Sequence, residues 1–334
     1  MPVYNVERFV RKAIESILAQ TERNWELLIV NDCSTDNSAS ICREYQDERI
    51  TLIDHPTNKG LAAARNTGIR NAKADVVALI DSDDFWHPSK LEKHLHHLAE
   101  RSEIGVSYSH SAFVSESDEP LGYFQTPQLD DISPEKIFCR NPVSNGSNPV
   151  IRKATLNDIL FKDQDGHDCY FDESFRQSED IECWLRIATT TNWVFAGIPH
   201  VLTYYRLNAG GLSAGLSKQY ENWERVHDKI QTLAPDLIRT YGHQARAYQL
   251  RFLARQGIRL KDGKIAVHYI HKALKESGSI LREEPGRTIS TFAAAWLLRI
   301  LPRGMYFRME AFARRVMGNR QKRTAKLPSP DSNE

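Results

Sequence analysis

The chain has 334 residues, 41% of them hydrophobic, enough for one large domain and a smaller one around a sizeable core. Its 44 Lys and Arg against 43 Asp and Glu leave a formal charge of +1, which excludes a global attraction to nucleic acid. The five cysteines (Cys33, Cys42, Cys139, Cys169 and Cys183) include no C-x-x-C pair, so reduced thiols in a cytosolic setting are expected rather than disulfides. The N-terminus lacks the pattern of a signal peptide, and no uninterrupted apolar run reaches about 18 residues. The expectation is a cytoplasmic chain that does not span a membrane by itself.

From Val6, apolar residues recur at three and four positions (Phe9, Val10, Ala13, Ile14, Ile17, Leu18), which predicts an amphipathic helix. WELLIVND at 25–32 reads as a strand buried on both faces and ending in Asp32. DCSTDNSAS supplies helix caps, and RITLIDH at 49–55 is a second strand. The turn Asn58-Lys59-Gly60 then opens an Ala-rich helix to about Ala72. DVVALID at 75–81 is a third strand, followed by a helix after Pro88. Strands alternating with helices predict an α/β fold with a mostly parallel sheet, whose ligands sit beyond the carboxyl ends of the strands. Residues 130–215 read as mixed and loop-rich, with a helix over 180–189 and a strand pair over 193–205. Three domains are expected: 1–215, a helical extension over 216–320, and a disordered tail over 321–334.

LIDSDDFW, residues 79–86, places three carboxylates at a strand end. Like charges this close repel unless a cation sits among them, and Mg²⁺ or Mn²⁺ prefers oxygen ligands of this kind. Such an ion fills its shell with substrate phosphates, which points to diphosphate chemistry. The competing reading is an Asp-rich helix cap, with Asp84 as the capping residue. No G-x-G-x-x-G or P-loop pattern occurs, which argues against a dinucleotide enzyme or a P-loop NTPase.

PVYN (2–5), ELLIVNDCSTDNS (26–38), NKGLAAARNTG (58–68), LIDSDD (79–84), SEDIECWLR (178–186) and YYRLNAGGLS (204–213) occur in the order seen in family 2 glycosyltransferases. The chain resembles that family over about residues 2–215. The resemblance implies a GT-A fold, a nucleotide-diphospho-sugar donor, expected to be UDP-linked, and Mn²⁺ or Mg²⁺. It places Pro2 and Tyr4 against the nucleobase, with Asp32 accepting a hydrogen bond from it, and Lys59 and Arg65 in the nucleotide pocket. Asp81 addresses ribose or metal, Asp83 ligates the metal, and Asp180 is the catalytic base. The acceptor, a saccharide or lipid-linked saccharide, meets Glu179 and Trp184, while Arg206 and the Gly-rich loop after it close over the diphosphate. Inverting transfer needs one base and no covalent nucleophile, which fits a single carboxylate at 180. Each residue also has a plainer reading: a packed Tyr4, a capping Asp32, Lys59 and Arg65 on a solvated helix face, Glu179 and Asp180 favoured by the helix dipole behind Ser178 as cap, and Trp184 facing the core with Ile181, Leu185 and Ile187. His94 and His97 read as a solvated helix face rather than a zinc site, and Ser147 has no evident triad partner.

Residues 287–326 carry ten Lys and Arg against one acid, Glu310. With Ile289, Phe292, Trp296, Leu297, Ile300 and Leu301 in one apolar stripe, and Met305, Met309, Phe312 and Val316 in another, two readings stand: an anionic membrane surface as partner, or packing on the catalytic domain. In the family an apolar strand precedes P-V-Y-N, whereas Met1 precedes it here, so the first sheet strand is expected to be missing. The leading function is metal-dependent inverting sugar transfer in glycan synthesis. A silent nucleotide- or carbohydrate-binding relative is the alternative from another class, and a nucleotidyltransferase would require a basic Gly-rich N-terminal loop.

Overall fold

The structure, a computed structural model, describes residues 1–208, 215–302, 304–306 and 309. Its elements in chain order are β1 Pro2–Val3, α1 Val10–Leu18, β2 Leu27–Asn31, α2 Ser38–Arg43, β3 Ile50–Asp54, α3 Leu61–Asn71, β4 Val76–Ala78, β5 Phe85–Trp86, α4 Lys90–Glu100, β6 Ile104–Val114 and β7 Pro120–Gln125. They continue with α5 Pro134–Arg140, β8 Val150–Arg152, α6 Lys153–Asp158, β9 Phe161–Lys162, β10 Asp168–Cys169, α7 Glu179–Thr190 and β11 Val194–Arg206. The helices α8 Leu216–Leu233, α9 Pro235–Arg259, α10 Gly263–Glu276, α11 Ser279–Glu283 and α12 Pro285–Ile300 complete the chain. The described residues fall into two compact units, 1–132 with 142–208, and 133–141 with the described residues from 215 onward.

In the first unit, β1, β2 and β3 form a parallel sheet in that order, as the alternation of strands and helices predicts. Val10, Ala13, Ile14 and Ile17 of α1 are buried against Val3, Leu27 and Ile29. Each buried Val, Leu or Ile side chain among these contributes about 1.5–3 kcal/mol. The first strand, expected to be missing, exists as a two-residue ladder in which Pro2 pairs with Val30 and Val3 with Asn31. β4 does not join this sheet. It lies at the edge of a second, mixed sheet ordered β4-β8-β6-β11-β5, where β8 runs antiparallel to β4 and β6, and β11 runs parallel to β6. The fold is α/β as expected, with the parallel pairing concentrated in the first sheet and along β6–β11.

Three local expectations are corrected. The strand pair expected over 193–205 is one 13-residue strand, β11, whose register shifts against β6 near Ile198 and Val201 absorb its irregular pattern. The face of α4 carrying His94 is not solvated: Lys90 and His94 are fully buried. Lys90 Nζ donates to Asn148 O (2.8 Å) and Thr203 Oγ1 (3.0 Å), and the Nδ1 atoms of His94 and His97 lie 2.7 and 2.8 Å from Ser107 Oγ. Burial pushes the Lys90 ammonium and the His94 imidazole well below their usual ranges, and this face of α4 docks through polar contacts to Asn148, Thr203 and Ser107. Asp84 is not a helix cap either, since Ser89 precedes α4 and Asp84 is engaged elsewhere.

In the second unit, α5 packs with the C-terminal helices, its Phe138 ring stacked on Trp223 at 5.7 Å. Arg246 pairs with Glu224 at 2.7 Å, and Arg251 donates to Thr288 Oγ1 at 2.6 Å and pairs with Glu284. No helix among the described residues is long and apolar enough to cross a membrane.

Candidate active site

Asp32, one residue beyond β2, is held by its backbone N–H, which donates to Val3 O at 2.8 Å. Its carboxylate is buried and occupied: Oδ1 accepts from Lys59 N (2.8 Å) and lies 2.7 Å from His55 Nδ1, while Oδ2 accepts from Gly60 N (2.7 Å). Asp32 therefore fixes the turn that starts α3. Gly60 sits at φ +93° in that turn, and a Cβ there would lie 2.0 Å from Arg176 Nη1, so the position requires glycine. Lys59 is exposed, with its backbone O accepting from Arg176 Nη1 at 2.8 Å. Tyr4, directly after β1, is 49% exposed and is not the packed strand-end tyrosine of the plainer reading.

The turn delivers Arg65, one helical turn into α3, to the centre of a buried ionic triad. Its Nη2 donates to Asp81 Oδ1 and its Nη1 to Glu179 Oε1, both at 2.8 Å, and its Nε is buried without a partner. Arg65 is thus not on a solvated helix face. It ties the LIDSDD strand end to the start of α7, two segments nearly a hundred residues apart. The two carboxylates, with burial opposing them, hold the guanidinium charged by raising its pKa. Glu179 is pushed up to about 7 by burial, which outweighs the lowering by Arg65, with the adjacent Asp180 raising it further. The backbone at Gly146 passes against this triad, where a Cβ would lie 2.3 Å from Arg65 Nη2 and 2.4 Å from Asp81 Oδ2.

Within DSDD the carboxylates separate into distinct roles. Asp84 is fully buried, accepting from Ser147 Oγ at 2.5 Å and from Arg206 N at 2.8 Å, and burial with Asp83 and Asp81 nearby lifts it well above the usual carboxylate range. It fastens the 145–148 loop to the end of β11. Asp83 accepts from Asn208 Nδ2 at 2.7 Å and is pushed up to about 6 by burial and by Asp81. Asp81 keeps a partly exposed carboxylate, and its backbone N–H donates to Ser147 Oγ at 2.9 Å. Asp81 and Asp83 are hard oxygen donors that repel each other, with Asp83 pushed up to about 6 by burial and by Asp81, and such a donor set suits a divalent cation.

Asp180, the second residue of α7, is half-buried beside Glu179, with Oδ1 accepting from Ile181 N at 2.8 Å. Ser178 stands at the helix N-cap with φ +64° but makes no side-chain cap, so its expected capping role is corrected. Trp184 is also corrected as an acceptor contact. It is 1% exposed, set edge-on to Phe171 and Phe195, on the core face of the amphipathic α7. Arg206 is buried and committed: Nε donates to Asp83 O (2.7 Å), Nη1 to Ser115 O (2.9 Å) and Nη2 pairs with Asp118 (2.5 Å). It clamps the DSDD turn rather than reaching outward, and the Gly-rich loop after it, residues 209–214, lies outside the described residues.

Sequence reasoning missed Gly146, Asn208 and His55, and considered Ser147 only as a nucleophile. The cluster of small polar residues in NGSN was the available signal, since such residues let backbone approach a charged site. A separate trio, Asp163, Asp165 and His167, has ligand atoms within 4.8 Å of one another on the β9–β10 turn. Asp163 there accepts from the backbone of Asp165 and His167, which accounts for the closeness.

Comparison with solved structures supports the class to which this architecture belongs. Staphylococcus aureus TarS 1–349 in complex with UDP-GlcNAc aligns with a TM-score of 0.58 at 18% identity, over 89% of this chain and 90% of that one. The mannosyltransferase PcManGT of Pyrobaculum calidifontis, in complex with GDP-Man and Mn²⁺, aligns with a TM-score of 0.54 at 18% identity, over 90% and 84%. These likenesses show a GT-A fold. A profile described as Glycosyl transferase family 2 matches residues 1–160. The UDP-Glc:alpha-D-GlcNAc-diphosphoundecaprenol beta-1,3-glucosyltransferases WfgD and WfaP of Escherichia coli are 29% and 30% identical to this chain. The alignments cover 69% and 65% of this chain, and 85% and 79% of theirs. The chain belongs to glycosyl transferase family 2 and is a glycosyltransferase.

Proposed function

We propose that the chain transfers a sugar, with inversion, from a UDP-linked donor to a hydroxyl of a saccharide on a lipid-linked acceptor, in cell-surface glycan synthesis at the cytoplasmic face of a membrane. The observation that carries this reading is the Arg65 bridge, which holds Asp81 of DSDD and Glu179 of the SEDIE segment on one guanidinium. The names of WfgD and WfaP, both UDP-glucose enzymes acting on a diphosphoundecaprenol-linked sugar, support donor and acceptor. Residues 1–215 form the transferase domain and 216–320 its extension.

In this reading Asp83 and Asp81 hold Mn²⁺ or Mg²⁺, which when bound neutralises the charge developing on the departing diphosphate. Tyr4 and Pro2 border the nucleobase, stacking being worth about 1–3 kcal/mol in nucleic-acid systems. Asp32 shapes the Lys59–Gly60 turn, so that Lys59 presents its ammonium on the nucleotide side. Arg65 fixes Glu179, and with it the first turn of α7, so that the adjacent Asp180 takes the proton of the attacking hydroxyl. Arg206 keeps the DSDD turn in place from behind. Turnover of UDP-glucose, UDP-galactose and UDP-GlcNAc, each with Mn²⁺ and a GlcNAc-diphospholipid acceptor, tests the proposal. Transfer from one of them is expected, abolished by Asp83→Ala and by chelation; transfer unaffected by either would remove the metal from the reading.

A further inference from the structure

Helix α12 leaves much of its aliphatic surface outside the core it helps to close. The residues it buries are small or polar: Thr288, Thr291 and Ala295. Thr288 Oγ1 donates to Ile280 O at 2.7 Å and accepts from Arg251, and Thr291 Oγ1 donates to Arg287 O at 2.7 Å, so these buried positions are satisfied by hydrogen bonds, with Phe292 the one large apolar side chain of the helix packed on the Ala254, Ala266 and Ile270 cluster. Close packing on α10 follows from the same economy of size: the α12 backbone at Arg299 approaches so near Gly263 that a Cβ there would lie 2.8 Å from it. The opposite face carries Ile289, Ala293, Leu297 and Ile300, spaced four, four and three residues apart along one side of the helix. Ile289 is 57% exposed and Ile300 69%, and Met305 and Met309 just beyond the helix are also exposed. Trp296 borders this ridge, its indole N–H donating to His271 Nε2 at 3.1 Å. The sequence left open whether the apolar stripe packs on protein. In the structure Phe292 packs on the cluster of Ala254, Ala266, Ile270 and Ala295 and Trp296 is half-buried beside it, whereas Ile289, Leu297 and Ile300 face away from the unit that carries them.

Charge decides what the ridge fits. Residues 210–320 hold 20 Lys and Arg against nine Asp and Glu, in a chain whose total is +1, so the positive charge is concentrated in the segment bearing the ridge. Arg282, Arg287 and Arg299 are exposed near its two ends. A second copy docked through this face would set these arginines against their equivalents. The segment after residue 309 is itself basic, with six Lys and Arg against three acids, and has no charge complementarity to offer. An apolar layer with negative groups at its surface satisfies both features at once, and the helix, about 24 Å long, suits an in-plane position rather than a span.

We propose that α12 and the turn after it dock on an anionic lipid bilayer, with Ile289, Leu297, Ile300 and Met305 inserted at the headgroup boundary and the flanking arginines on the phosphates. This deepens the lipid-linked acceptor reading, and the two fail separately, because donor turnover tests the active site while vesicle binding tests α12. The test is flotation of the full chain with vesicles of phosphatidylcholine alone and of phosphatidylcholine with phosphatidylglycerol, repeated with the exposed-face variant I289S/L297S/I300S. Binding to the phosphatidylglycerol vesicles only is expected, weakened on the order of tenfold or more in the variant, whose melting temperature and UDP-sugar hydrolysis stay at the parental level. Absence of vesicle binding would overturn the proposal, as would binding that the variant leaves unchanged. Dissociation of a dimer by the triple variant, without vesicle binding in the parent, would assign the ridge to a second copy instead.

Discussion

An Arg65→Met variant is expected to lose about 3–5 kcal/mol of stability, together with measurable sugar transfer, because it removes the charge shared by the buried Glu179 and the partly exposed Asp81. The side chain of Glu179 is almost entirely enclosed and that of Asp81 is about one-quarter exposed, so the loss falls mainly on Glu179. Glu179 already stands at about 7 with Arg65 beside it, and it takes up a proton at neutral pH once that cation is gone. Protonation relieves part of the penalty and sets the expected value toward the lower end. Lysine is a poor substitute, since one ammonium cannot direct separate donors at two carboxylates as the guanidinium fork does. Urea unfolding monitored by tryptophan fluorescence reads the effect. An Arg65→Met midpoint equal to that of the parent would show that the triad does not hold DSDD to α7.

Replacing Asp180 by asparagine is expected to reduce kcat by about 10²–10⁴-fold while leaving the melting temperature and UDP affinity unchanged. The two adjacent acids at the start of α7 differ in burial. Glu179 is spent on Arg65 and buried, so it positions, whereas Asp180 is half-buried and lies one residue further along the helix. Glu179→Gln keeps the shape but weakens the Arg65 contact, and is expected to cost stability first and rate second. A kcat–KM split on purified variants separates these outcomes. Wild-type turnover in Asp180→Asn would move the base elsewhere.

The parts of the molecule legible in the sequence are those where residue type and period carry the information. The Leu27–Asn31 and Ile50–Asp54 strands are short apolar runs, α1 has its apolar stripe, and DSDD announces itself by charge. What could not be read was the direction in which polar side chains point. Arg65, Lys90 and Arg206 are polar by type and buried in fact, each with a partner tens of residues away: Glu179 for Arg65, Thr203 for Lys90, and Asp118 for Arg206. β6 was overlooked because its Ser107, Ser109 and Ser111 make it look like a loop, although every residue in it is buried. Trp184 shows the converse error. Its place beside SEDIE favoured a ligand contact, while its own helical period assigned it to the core.

The most direct measurement is calorimetric titration of UDP into the full chain, with Mn²⁺ and with chelator, in the parent and in Asp83→Asn. If Asp81 and Asp83 form a cation site completed by the diphosphate, UDP binds the parent at least about tenfold more tightly with Mn²⁺ than without, and Asp83→Asn loses that difference. Equal UDP affinity in chelator and in Mn²⁺, unchanged by the substitution, would contradict the assignment of the acidic strand end as a metal-diphosphate site.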